Sequence, residues 1–214
     1  MLESGVGSLE SVLGRDFYER PTLEVARDLI GKVLVHETGA CRASGIIVET
    51  EAYIGEDDPA CHAAPGPTGR NKPLYGPPGI AYVYLNYGIH YLVNAVNESE
   101  GWPAAVLIRA LEPRDGIGLM RRRRARGSSR KAADFTEAEL CRGPGNLTKA
   151  LGIDLRQNLK DLTGSSLRIE ADNRSRKRFD IEWTPRIGIR VAADRPWRCS
   201  VIAHAAVSGK RSQA

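Results

Sequence analysis

The chain has 214 residues, 42% of them apolar and 27% charged, ordinary proportions for a folded globular protein. That length suits one domain whose core needs neither disulfide nor metal, and Cys41, Cys61, Cys141 and Cys199 form no CxxC pair, so they read as reduced thiols packed like small apolar groups. No apolar run reaches the roughly 20 residues of a membrane helix, and the first residues lack the basic segment and apolar core of a secretory signal. The balance of 31 basic against 26 acidic residues, a net charge of +5, favours a polyanionic partner.

Residues 1–14 are small and polar and read as a flexible tail. Pro21 opens an expected helix with Leu23, Val25, Ala26, Leu29 and Ile30 on one face, stopped by Gly31. Residues 33–35 and 44–53 read as strands. Period-2 alternation in the second would put Ile47, Glu49, Glu51 and Tyr53 on one face and Val48, Thr50 and Ala52 on the other. Residues 55–79 are rich in Gly and Pro and too long for a simple turn, which marks a functional loop. The aromatic β-rich run 80–96 is broken at Gly88 into a hairpin or a bulge. Residues 104–111 read as a strand, 116–126 as a helix with arginine along one flank, and 140–151 as a Gly-Pro-Gly turn and a short helix closed by Gly152. Strands are expected at 166–169, 180–183, 185–191 and 199–203. With no repeat or linker, the pattern predicts a single compact α+β domain over 15–205, with a curved, mostly antiparallel sheet, flanking helices and a tail at 206–214.

The chemistry concentrates in VETEAY, which carries Glu51, and in His62 eleven residues later. Tyr82, Tyr84, Tyr87 and Tyr91, four of the chain's seven tyrosines, follow, and then Asn94. A carboxylate beside an aromatic wall suits acid–base work next to a flat ring held between aromatic faces. Singly, each feature has a plainer reading: a strand glutamate is usually solvated, and a tyrosine-rich strand is usually half-buried packing. Their occurrence together points to a site. Glu49, on the same expected face as Glu51, reads as a partner for an arginine or a backbone amide. The alternative is a sugar hydrolase built on two carboxylates.

The ordered set DFYERPTLEVARDLIGKVLV, VETEAYIGEDDPACH, RNKPLYGPPGIAYVYLNYG, VLIRALEP, LCRGPGNLTKALGI, PRIGI and PWR resembles the alkyladenine (3-methyladenine) DNA glycosylases of the methylpurine type. The resemblance covers the chain from about Arg15 to Ala203. It implies a fold like the C-terminal domain of methionyl-tRNA formyltransferase. It also implies a monofunctional enzyme that flips alkylated or deaminated purines (3-methyladenine, 7-methylguanine, hypoxanthine, ethenoadenine) out of duplex DNA and hydrolyses the N-glycosidic bond. An abasic site is left for base excision repair. By the same resemblance Glu51 is the general base that activates water and Arg109 helps hold that water. Tyr53, His62 and Tyr84 sandwich the base, Asn94 excludes the amino group of guanine, and Tyr87 fills the gap in the stack.

The run Arg121 to Arg124, with Arg126, Arg130 and Lys131 behind it, is on its own a solvated face. Beside a base-flipping motif, Arg121, Arg122 and Arg124 become candidates for phosphate contact, with Arg174, Arg176, Lys177 and Arg178 as a second basic loop. The matched motifs contain no catalytic lysine, which implies water rather than an amine as nucleophile. The expectation is therefore an enzyme without cofactor or metal, acting as a monomer in a bacterial cytoplasm, away from membranes, on double-stranded DNA that contains damaged purines. A binding-only module on the same fold is the alternative. Glu51 argues against it, because a binder gains nothing from an anion facing DNA.

Overall fold

The computed structural model describes residues 11–172 and 179–209, so the basic loop expected at 174–178 lies outside the described residues. Within them the chain forms, in order, β1 (Val33–Thr38), β2 (Cys41–Ile54), β3 (Ala81–Asn86), β4 (His90–Val96), β5 (Ala104–Asp115), β6 (Leu167–Glu170), β7 (Ile181–Thr184) and β8 (Arg198–Val201). All pairings are antiparallel, in the order β3-β4-β5-β2-β1-β6, with β8 joined to both β2 and β7. The fold is a single α+β domain around one curled sheet.

The long pair β2 and β5 is the spine, and β2 forks along its other edge. Its first half pairs with β1, from Cys41 opposite Thr38 to Ile46 opposite Val33. Its second half pairs with β8 through Glu49, Thr50 and Glu51. Between the halves the β2–β5 register slips, passing from Ile47 opposite Leu111 to Glu49 opposite Ala110, with Val48 as the extra residue. An extra residue bends a strand and increases its twist, which turns the second half of β2 away from β1 and toward β8. It also overturns the simple alternation. Ile47 packs in the main core with Ala52, while Val48 packs with Ala110, Val201 and Ala206 on the side of Glu49.

Five helices cover the core: α1 (Arg15–Tyr18), α2 (Thr22–Asp28), α3 (Ile117–Ala125), α4 (Glu137–Leu140) and α5 (Pro144–Leu151). The apolar face of α2 buries Val25, Ala26 and Leu29 against Ile47, while Thr50 donates to the Ala26 carbonyl at 2.9 Å. Pro144 sits in the first turn of α5, where its missing N–H is not needed, and Gly152 ends it in a left-handed conformation (φ 74°). Leu147, Ala150 and Leu151 of α5 join the same core. The aromatic run forms a hairpin: Tyr87 (φ 48°) and Gly88 (φ 70°) are both left-handed, and Ile89 N–H donates to the Asn86 carbonyl at 3.0 Å. Left-handed geometry at both central positions suits the twist of a tight hairpin.

One expected strand is absent: residues 185–191 pair with no neighbouring strand. Pro185 has no N–H, the amide of Ile187 is committed to a carboxylate, and Gly188 takes φ 80°. The segment is a loop because its polar groups are used elsewhere.

Gly116, the N-cap of α3, combines φ 76° with a Cβ position only 2.4 Å from the Arg42 carbonyl oxygen. Gly116→Ala is expected to destabilise the fold by at least about 2 kcal/mol through left-handed strain and this clash, read as a lower midpoint in urea.

Candidate active site

A cavity of about 480 Å³ opens between the second half of β2, the β3–β4 hairpin, the first turn of α5 and the loop at 187–189. Tyr53, His62, Tyr84, Asn94 and Arg109 line it, and Tyr87 stands at its rim. The structure thus gathers these residues, distant in sequence, around one space.

The carboxylate end is built on β2 and β5. Glu51 is fully buried. Its Oε2 faces Arg109 Nη1 at 3.1 Å and accepts from the Tyr53 hydroxyl at 2.9 Å, and its Oε1 accepts from the Ile187 amide at 2.7 Å. Burial pushes the Glu51 carboxyl above the usual carboxylate range, against the pull of Arg109, the Ile187 amide and the Tyr53 hydroxyl. A carboxylate with a raised pKa holds an abstracted proton better.

Glu49, also fully buried, behaves differently. Its Oε1 accepts from Arg109 Nε at 3.0 Å, Arg198 Nε at 2.6 Å and Ser208 Oγ at 2.8 Å, and its Oε2 accepts from the Ser208 amide at 2.7 Å. Burial works to raise its pKa, but Arg109 and Arg198 outweigh it and hold the group below the usual range. A carboxylate so committed has no proton to give, which removes the two-carboxylate sugar hydrolase. Glu49 is the arginine partner that the sequence reading favoured.

The aromatic end has two parts. The Arg186 guanidinium carbon sits 4.7 Å from the Tyr53 ring centroid and 5.1 Å from that of Trp197. Its nitrogens grip Asp58 at 2.5 and 2.8 Å and the Ala52 carbonyl at 3.0 Å. Arg186 does not line the cavity although Tyr53 does, so the ion pair backs the ring from behind. His62 packs edge-on to Tyr84 with ring centroids 4.5 Å apart, and its Nδ1 hydrogen-bonds the Tyr82 hydroxyl at 2.9 Å. The loop carrying His62 is pinned by Asn71, whose Nδ2 donates to the carbonyls of His62 and Gly66, both at 2.8 Å. Burial, with Arg70 nearby, lowers the His62 pKa and favours the neutral imidazole. Asn94 is buried, and its Nδ2 donates to the Tyr82 carbonyl at 3.0 Å.

Tyr87 is 87% exposed at the hairpin tip, with Ile89 beside it at 73%. The arginine run divides. Arg123 donates to the carbonyls of Ala150 and Leu151 at 3.2 and 2.6 Å, at the end of α5 where a cation is favoured. Arg121 reaches the Phe135 carbonyl at 3.3 Å and Glu137 at 3.6 Å. Arg124 bonds Asn146 and stands 5.3 Å over the Phe135 ring. Arg122 is exposed. Three of the four side chains thus bind the corner of α3, α4 and α5 together. Asp58, Arg186, Arg198 and Ser208 were not singled out in the sequence, because no local spacing links Asp58 to a partner 128 residues away. Asp58, Arg186 and Arg198 lie within the matched segments VETEAYIGEDDPACH, PRIGI and PWR, which gave them no role.

Residues 16–205 match the family described as methylpurine-DNA glycosylase (MPG). The chain is 48% identical over 190 residues to a protein of Methanocella arvoryzae, covering 87% of this chain and 90% of that one. It is 51% identical over 176 residues to one of Rubrobacter xylanophilus (82% and 86% covered) and 44% identical over 204 residues to one of Chlorobaculum parvum (93% and 91% covered). All three relatives carry the name "Putative 3-methyladenine DNA glycosylase". The family match and these relatives accordingly define a hydrolase of N-glycosyl bonds that works in DNA repair. The chain belongs to the methylpurine-DNA glycosylase family.

The Asp58–Arg186 pair is wholly buried. Asp58→Ala is expected to lower stability by about 3–5 kcal/mol, because it leaves a buried guanidinium unpaired, and to loosen Tyr53. Chemical denaturation measures the first effect and tyrosine fluorescence on lesion binding the second.

Proposed function

We propose that this enzyme takes an alkylated purine out of duplex DNA into the cavity and hydrolyses its N-glycosidic bond with water activated by Glu51. The observation that carries the proposal is the Glu51 carboxylate, fully buried directly behind two residues that line the cavity, Arg109 with Nη1 at 3.1 Å and Tyr53 with its hydroxyl at 2.9 Å. Water attacks the sugar carbon of the glycosidic bond while Glu51 accepts its proton. The carbon–nitrogen bond breaks and its electron pair leaves with the base. A base alkylated to a cation departs neutral and needs no protonation. Arg109 orients the water beside Glu51. Tyr53 on one side and His62 with Tyr84 on the other offer faces to a planar base, each stack worth about 1–3 kcal/mol. A cationic purine gains further from the tyrosine faces, and the neutral imidazole of His62 avoids a like-charge contact.

Extrusion costs a few kcal/mol and is least costly for a damaged base. Tyr87 is suited to occupy the vacated place in the stack: it is exposed, ring-bearing and held forward by a tight turn. Arg122 on α3 is available for phosphate contact, which positions the enzyme without reading sequence. The 3-methyladenine named for the relatives is the first substrate to try, with 7-methylguanine, hypoxanthine and ethenoadenine as the range to be mapped.

Glu51→Gln keeps the shape of the cavity and removes the base. Single-turnover release of 3-methyladenine from a duplex should fall by at least about a hundredfold, with binding of the lesion duplex retained. Release at the unmodified rate would remove Glu51 from its role. Tyr87→Ser should leave chemistry on the flipped base intact and weaken its capture. Fluorescence of an ethenoadenine duplex measures this, and an unchanged flipping equilibrium would reject the wedge.

A further inference from the structure

Ser208 lies past residue 205, where the family match ends, in a stretch whose sequence reads as a tail. Its hydrogen-bonding groups are nevertheless all directed at the charged end of the cavity. The amide donates to Glu49 Oε2 at 2.7 Å and the hydroxyl to Glu49 Oε1 at 2.8 Å. The same hydroxyl accepts from Arg109 Nη2 at 3.1 Å, and the carbonyl accepts from Arg198 Nη2 at 3.1 Å. One residue therefore joins three buried charged side chains drawn from β2, β5 and β8.

The consequence for Arg109 is geometric. Its guanidinium has three nitrogens, and each has a separate partner: Nε has Glu49, Nη2 has Ser208 and Nη1 has Glu51. A planar guanidinium held at two nitrogens has a fixed plane, so the direction of the third is set. Without Ser208 the plane would rest on the two carboxylates alone, and the hold on Nη1 would weaken as Glu51 takes up the proton that neutralises it. Glu49 in turn would keep only its two arginine donors, both on Oε1.

We infer that Ser208 is a positioning residue for base release, fixing Glu49 and the Arg109 guanidinium so that Nη1 stays aimed at Glu51 and the attacking water. This inference rests on the proposed hydrolytic role of Glu51 and Arg109. It assigns the C-terminal segment a part in the reaction, although Ser208 does not itself line the cavity.

The test compares single-turnover release of 3-methyladenine with affinity for a lesion duplex, in the full-length enzyme. Ser208→Ala removes the hydroxyl alone. Release should slow about tenfold, the scale of one lost hydrogen bond to a charged group, with lesion affinity unchanged. Ser208→Thr keeps the hydroxyl and should restore the rate. In an Arg109→Lys background, Ser208→Ala should cost less than about twofold, because a residue acting through Arg109 has nothing left to position. A merely structural role predicts the opposite pattern, with additive losses, weaker lesion binding and no special benefit from Thr. The inference is overturned if Ser208→Ala releases base at the unmodified rate, or if its loss persists in full beside Arg109→Lys. Absence of release by the unmodified enzyme would instead defeat the proposed function.

Discussion

The guanidinium of Arg109, held between two buried carboxylates, is the interaction on which the rest of the site depends. A single cation cannot satisfy Glu49 and Glu51 equally, and the surroundings decide between them. Glu49 has a second arginine and both donors of Ser208, so it is locked as an anion. Glu51 has one charged partner, one amide and one hydroxyl, and burial keeps it the more basic of the two. Two glutamates two residues apart on one strand thereby differ: one is a fixed counter-ion, the other is the group proposed as the base. The buried charges stand together because each compensates another; removing one leaves the rest without solvent or partner.

The sheet provides this arrangement through its fork. The bulge at Val48 sends the second half of β2 to β8, which delivers Arg198 to Glu49 and brings the loop after β7 over Glu51. Without the slip, β2 would continue alongside β1 and neither contact would form. The aromatic half is braced independently. The Asp58–Arg186 pair stiffens Tyr53 from behind, and Asn71 holds the His62 loop. The two halves meet at Tyr53, whose hydroxyl donates to Glu51, and each has its own brace around one cavity.

Much of this was legible in the sequence. Period-2 alternation placed Glu49, Glu51 and Tyr53 on one face, and Gly88 marked the break, a hairpin or a bulge, that the fold makes a hairpin with Tyr87 at its tip. It failed at Ile47, because a bulge inserts its residue without a local signature. Residues 185–191 looked like a strand by composition, yet Arg186 and Ile187 are committed to Asp58 and Glu51, partners that only the fold supplies. Ser208 carried no signal among small polar neighbours. The arginine run shows the same limit from the other side. Sequence cannot tell a solvent-facing arginine from one bonded to a helix end, and Arg121, Arg123 and Arg124 proved to be bonded within the protein.

The central claim is that Glu51 acts as an ionised base whose pKa is raised by burial. The most direct measurement is the pH dependence of single-turnover release of 3-methyladenine, a base that is cationic in the duplex and leaves without protonation, with the fold followed in parallel. Release should fall about tenfold per pH unit on acidification, through a midpoint above the ordinary carboxylate value of 4.5. This limb should be absent from the residual rate of Glu51→Gln. A rate that stays level below pH 4.5 while the enzyme remains folded, or an identical limb in Glu51→Gln, would contradict the account.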